Sequence, residues 1–157
     1  MRVLTVLLVL PIVLLAGCQG TEQQTPSPVE TARSHEKKIM TLAVPDAVKS
    51  RWKAVRICVT DKAAVKKIVH TIPIGGKINL PASSMTIEVE AFLPTFVMEG
   101  SVMTSSSNEL KNPGAKVKIR EGSNLVFDGW LFSRFPNTHA FMHPRYGFAL
   151  VDVVPVR

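Results

Sequence analysis

Residues 85–91, MTIEVEA, place Met85, Ile87, Val89 and Ala91 on one side of an extended chain and Thr86, Glu88 and Glu90 on the other. Side chains of a strand alternate between its faces, so this period of two predicts a strand with one face on a core and the other in solvent. On this reading Glu88 and Glu90 are not a catalytic carboxylate pair but the polar half of the alternation. The pattern recurs up and down the chain. Val55, Ile57 and Val59 alternate with Arg56, Cys58 and Thr60, and Val117 and Ile119 alternate with Lys116, Lys118 and Arg120. Further strands are predicted at 65–74, 77–80, 96–102, 124–132 and 146–154.

Between these segments stand turn signals: Gly75-Gly76, Pro81, the Ser105-Ser106-Ser107-Asn108 run, Asn112-Pro113-Gly114 and Glu121-Gly122-Ser123-Asn124. The last lies between KVKIR and NLVFDGWLF and is the strongest hairpin signal. A short helix over 46–52 fits Asp46 near its start. About seven to eight short strands, with turns every eight to twelve residues or so, predict an all-β domain over 44–157, a single antiparallel sandwich or small barrel.

The chain opens MRVLTVLLVLPIVLLAGCQG. Its apolar or neutral run from Val3 to Leu15 is 13 residues, short of the roughly 20 needed to cross a bilayer as a helix. It reads as a secretory signal peptide over 1–17. Residues 18–43 follow as a tether, rich in Gln, Thr, Ser, Pro and charge, with too little apolar surface to offset the entropy of ordering. From residue 18 onward the chain has 18 basic and 12 acidic side chains, a balance of +6. The charge is dispersed, without the basic stripe and stacking aromatics of a nucleic-acid face, so no nucleic-acid partner is expected. Of the two cysteines, Cys18 stands at the end of the leader, and Cys58 in VRICVT, flanked by β-branched residues, reads as a small buried hydrophobe.

Leu15-Ala16-Gly17-Cys18 resembles the bacterial lipobox. The resemblance implies cleavage before Cys18, a diacylglycerol on its sulfur and a further acyl chain, such as palmitate, on its new amino group; two or three chains anchor stably. Gln19, where an inner-membrane lipoprotein would carry aspartate, implies the periplasmic leaflet of the outer membrane in a Gram-negative cell. Three further stretches, AVPDAVKSRWKAVRICVTDK at 43–62, FLPTFVMEGSVMTSSSNELKNPGAKVKIREG at 92–122 and GWLFSRFPNTHAFMHPRYGFALVDVVP at 129–155, resemble bacterial lipoproteins of the domain-of-unknown-function family numbered 2155. The signature is Gly129-Trp130-Leu131-Phe132 followed by His143-Pro144-Arg145-Tyr146. A weaker similarity reaches the extracytoplasmic region of ResB-type cytochrome c biogenesis proteins, from which this chain departs at Thr95, where an acid stands in that pattern, and at Gly114.

The sharpest candidate for chemistry is His139-x-x-x-His143, with Met142 and Tyr146 close by. On a helix the two imidazoles would share a face and could hold zinc or haem. Pro136 and Pro144 bracket the segment, however, and leave little room for a helix. The competing reading makes it a connection between strands: Ala140, Phe141 and Met142 plug one end of the core, His143 holds a backbone carbonyl, and Trp130, Phe132, Tyr146 and Phe148 fill the core. A third possibility gathers Met98, Met103 and Met142 with Phe92, Phe96 and Phe141 around an apolar cavity, against the plainer reading of these residues as core. There is no nucleophile elbow, phosphate loop or zinc-protease motif. The expectation is a non-catalytic, lipid-anchored envelope lipoprotein without a cofactor. It would act as a protein-interaction module in envelope or cytochrome-maturation assembly, through edge strands and the loops around 92–107. The alternative is a carrier or sensor of a small hydrophobic, haem-like or metal ligand.

Overall fold

A computed structural model of the protein describes residues 39–138 and 141–157, which lie in one compact unit, Lys37–Arg157. The leader, Cys18 and the tether up to residue 38 fall outside the described residues, as do His139 and Ala140. In chain order the elements are β1 (Thr41–Leu42), α1 (Asp46–Lys49), β2 (Trp52–Asp61), β3 (Lys66–Pro73), β4 (Lys77–Asn79), β5 (Met85–Leu93), β6 (Phe96–Glu99), β7 (Val102–Ser105), β8 (Gly114–Glu121), β9 (Asn124–Phe132) and β10 (Tyr146–Pro155). They form three sheets, with strand orders β10-β2-β3, β4-β5-β8-β9 and β1-β7-β6. The first two are antiparallel and share one core. The fold is an all-β sandwich, and no sheet closes into a barrel among the described residues.

The described residues form ten strands where the sequence predicts seven or eight. The stretch read as one strand over 96–102 is instead a hairpin, β6 and β7, turned at Gly100 with φ +65°, a conformation glycine adopts without steric cost. β1 lies inside the stretch read as tether. It runs parallel to β7, held by Thr41 N–H to Ser101 C=O at 2.8 Å and Ala43 N–H to Met103 C=O at 2.9 Å. Two residues are too few to leave a periodic signal. The EGSN hairpin forms as expected, with Glu121 opposite Asn124 and Gly122 at φ +59°.

The inner faces carry the alternation that the sequence displays. Val55, Ile57 and Val59 of β2 face Met85, Ile87 and Val89 of β5 and Val117 and Ile119 of β8 within a single buried cluster. Four register shifts interrupt the ladders; one, at Lys53, falls at the end of β10, and the other three reset the phase of the inner faces. Glu90 is an extra residue in β5, so Val89 pairs with Val117 but Ala91 pairs with Lys116 and Phe92 with Ala115. Ala91 therefore leaves the inner face, and Phe92 takes its place in the core at 1% exposure. In β10 the extra residue is Val151, so Leu150 and then Val153 point inward. In β9 the register slips at Val126. A bulge adds one residue to one strand and so exchanges the faces beyond it.

Cys58 does not lie in the core. It sits on the outer face of β2 between Val69 and Ala149, partly exposed, because its parity is that of Arg56 and Thr60. The signature glycine Gly129 faces inward opposite Val117, and a methyl group there would come within 2.5 Å of the Phe127 ring. That ring is itself stacked on Phe141 at 5.1 Å. Gly129→Ala is expected to destabilise the protein by about 1–3 kcal/mol through overpacking, read as a lower urea midpoint at unchanged m-value. A shift below about 0.5 kcal/mol would show that Phe127 moves aside freely.

Candidate functional site, an outward apolar groove

Alternation puts Leu131 of β9 in the core, which obliges Trp130 and Phe132 to face the other way. They supply no core between the two large sheets, contrary to the sequence reading. Instead the small sheet packs over them: Phe96 of β6 meets Trp130 edge-on at 4.9 Å and Phe132 at 5.1 Å. Centroid distances and tilts of this kind are the favoured arrangement of aromatic pairs. Gly114, directly opposite Phe132 on β8, admits that ring, which would lie 2.8 Å from any added methyl.

Where the small sheet ends, a groove of about 460 Å³ remains, lined by Met40, Phe96, Met98, Met103, Trp130, Phe132 and Phe135, with Asn112 and Thr138 as its polar members. Met98 and Phe135 are each 55% exposed, large apolar side chains left in water on one patch. Asn112 donates through Nδ2 to Phe96 C=O, and its Oδ1 is buried without a partner among the described residues. Of the apolar set that the sequence groups together, the structure gathers Met98, Met103 and Phe96. Phe92 is on the opposite face of the sheet, and Phe141 and Met142 lie elsewhere. Met40 and Phe135 were missed because neither sits in an alternating segment.

The groove rests on a polar knot that the sequence shows only as a serine-rich loop. Ser105 and Thr95 are buried. Thr95 N–H donates to Ser105 Oγ at 2.9 Å, Ser105 Oγ–H donates to Ser107 C=O at 2.9 Å, and Thr95 Oγ1–H donates to Glu109 C=O at 2.5 Å. These bonds satisfy buried donors and acceptors and hold the β6–β7 hairpin against the sandwich. The serine run, a turn signal in the sequence, therefore also supplies buried hydrogen bonds.

The histidine segment has a different geometry. His143 Nδ1 accepts the N–H groups of Arg145 at 3.2 Å and Tyr146 at 3.0 Å. Its ring stacks on Tyr146 at 5.4 Å and lies 5.8 Å from Phe141, with Nε2 3.8 Å from Glu121 Oε2. The ring thus accepts from two amides rather than holding a carbonyl, and His143 C=O in turn accepts from Lys62 Nζ at 2.7 Å. This fixes the turn around Pro144. Phe141 packs against the core, between Phe127 and Phe148. Met142 does not plug it, being 83% exposed. Tyr146 is buried at the start of β10. The structure brings His143 and Tyr146 together and leaves Met142 outside that pair; His139 is outside the described residues. No group of three or more His, Cys, Asp or Glu side chains is arranged for a metal among the described residues.

Asp61 ends β2 and ties it to β10. Both its oxygens engage the Arg145 guanidinium, the shortest contact being 2.8 Å, and Oδ1 also accepts the N–H groups of Ala63 and Ala64. Arg145 first, and then the Ala64 amide, hold this carboxyl down from 3.8 to about 2. Between these values the unfolded chain binds more protons at this position than the folded one, so stability rises with pH there. Asp61 therefore stabilises fully above about pH 4, and its contribution is lost as pH falls towards 2. Asp61→Asn is expected to flatten the slope of stability between pH 4 and 2, measured by urea unfolding at several pH values. An unchanged slope would contradict this role.

On the other large sheet Lys118 is paired with Glu90, and Lys116 with Asp128. The hydrogen bond that Lys118 donates to the Glu90 carboxylate, with the charge of that carboxylate, raises the Lys118 pKa. Glu90 is thus engaged in an ion pair at the bulge. Comparison of the chain with protein-family models, with curated proteins and with solved structures finds no match.

Proposed function

We propose that this chain is a lipid-anchored, periplasm-facing lipoprotein whose β domain works as a non-catalytic protein-interaction module in envelope or cytochrome-maturation assembly. The observation that carries the reading is the outward groove of Met40, Phe96, Met98, Met103, Trp130, Phe132 and Phe135. Aromatics turned away from the core beside methionines, with Phe135 and Met98 in water, form an adaptable apolar surface of the kind that receives an anchor side chain of a partner. The lipobox-like Leu15-Ala16-Gly17-Cys18 supports the location, and the resemblance to lipoproteins of the family numbered 2155 agrees with that location. The groove also supports the alternative, since pockets of about 300–1,000 Å³ lined by apolar side chains take small ligands. Its openness to solvent at Met98 and Phe135 favours a protein surface over an enclosed cargo.

The test is a photo-crosslinker placed at position 98 or 135 of the full chain in its native envelope, with position 125 as control. Leu125 is exposed but does not line the groove. The proposal expects the same protein adduct from 98 and 135 and none from 125. No protein adduct from either groove position would overturn it.

A further inference from the structure

The outer strand of the β10-β2-β3 sheet carries a second feature, separate from the groove. β3 pairs only with β2, so one side of it is an open edge among the described residues. Ile74 N–H bonds to Lys53 C=O at 3.0 Å. In an antiparallel ladder the bonded residues alternate along the strand. Ile72, His70 and Ile68 therefore turn their amides towards β2, and Thr71, Val69 and Lys67 turn theirs outward. Proteins usually blunt such edges. Here Ile68 and Val69 remain 41% and 53% exposed.

A cavity of about 260 Å³ opens directly beneath this edge. Lys66, Ile68 and His70 share the inner face of β3 with Ile72, but the facing strand β4 has only three residues and does not cover them. The space is floored by Val59, Leu80 and Tyr146, and Lys66, His70 and Arg145 bring positive or neutral nitrogen groups to it. Its one acid, Asp61, is already engaged by Arg145. β3 contains no acidic residue, and Lys66 and Lys67 make no ion pair among the described residues.

We infer that the β3 edge takes an extended acidic segment of a partner protein as an added strand. Its backbone pairs with Lys67, Val69 and Thr71, and its inward side chains enter the cavity beneath Ile68 and His70. Strand addition draws affinity from main-chain bonds and specificity from pockets for alternate side chains, and this edge supplies both. The lysines select acidic residues flanking an apolar one that reaches the Val59, Leu80 and Tyr146 floor.

The experiment uses the full chain in detergent micelles and two fluorescein-labelled heptapeptides, one alternating glutamate with valine or phenylalanine and the other with lysine at each glutamate. Fluorescence anisotropy should show the acidic peptide binding at least about tenfold tighter. Its binding should slow hydrogen exchange at Lys67, Val69 and Thr71. Val69→Pro removes an outward N–H at a position where an edge strand tolerates proline, and should weaken binding by about tenfold or more. The charge reversal Lys66→Glu with Lys67→Glu should do the same, with the urea midpoint of the variant measured beside it to separate lost binding from lost stability. Met98→Asp should leave peptide binding unchanged, so failure here does not touch the groove, and failure of the groove does not touch this edge. Equal binding of the two peptides would overturn the inference. So would indifference to both sets of variants, or a β3-dependent dimer of the chain itself in place of peptide binding.

Discussion

Phe92→Ala lowers the free energy of unfolding by about 3–5 kcal/mol, the usual cost of emptying a phenylalanine site in a packed core. Phe96→Ala, four residues on, costs about half as much. The two rings belong to one apolar run in the sequence, but the sheet separates them. Phe92 stands opposite Ala115 on the inner face at 1% exposure, edge-on to Trp52 at 5.7 Å. Phe96 lies under the small sheet against Trp130 and Phe132, where only part of its surface leaves water. Urea unfolding of both variants measures the difference. Equal losses would mean that the break between β5 and β6 at Pro94-Thr95 does not divide the run as described.

The second large effect is on binding rather than stability. Met98→Asp combined with Phe135→Asp places two charges on the exposed wall of the groove, where an apolar partner would have to desolvate them. Both side chains are 55% exposed, so the fold should lose no more than about 0.5 kcal/mol per site. The crosslinked partner, in contrast, should fall by at least about tenfold, the equivalent of 1.4 kcal/mol. A large loss of stability would show that these residues pack more closely than the groove requires. Positions 98 and 135 being altered, the crosslinker moves to position 103 on the same lining, and unchanged crosslinking from there in the double variant would remove the groove as the docking surface.

The alternation in 54–60, 85–91 and 116–120 made the sandwich legible, because burial on one face of a strand imposes a period of two. What the pattern does not carry is phase. Glu90, Val126 and Val151 each exchange the faces of everything beyond them, and none differs in type from its neighbours in a way that marks a bulge. Trp130 and Phe132 were read as core for a related reason. Aromatic residues satisfy either face of a strand, and only the pairing of Leu131 with Ala115 decides which is inward. The polar knot at Thr95 and Ser105 was invisible because buried hydroxyls resemble solvated ones until their partners are known. The groove was half legible. Met98, Met103 and Phe96 were grouped correctly by composition, while Met40 and Phe135 arrive from segments with no periodic signal.

The two proposed surfaces divide the work by chemistry. The groove offers apolar and polarizable side chains with little charge. The β3 edge offers outward amides over a cavity lined by Lys66, His70 and Arg145. A partner using both would be apolar at one contact and acidic and extended at the other.

The central claim, that the groove of Met98, Trp130 and Phe135 receives a protein, is tested most directly by native mass spectrometry of the full chain extracted from its own envelope, wild type beside the Met98→Asp, Phe135→Asp double variant. The account predicts a protein adduct on the wild type that the double variant lacks. A small apolar molecule on the wild type, lost from the double variant with no protein adduct on either, would contradict it and give the groove to ligand carriage.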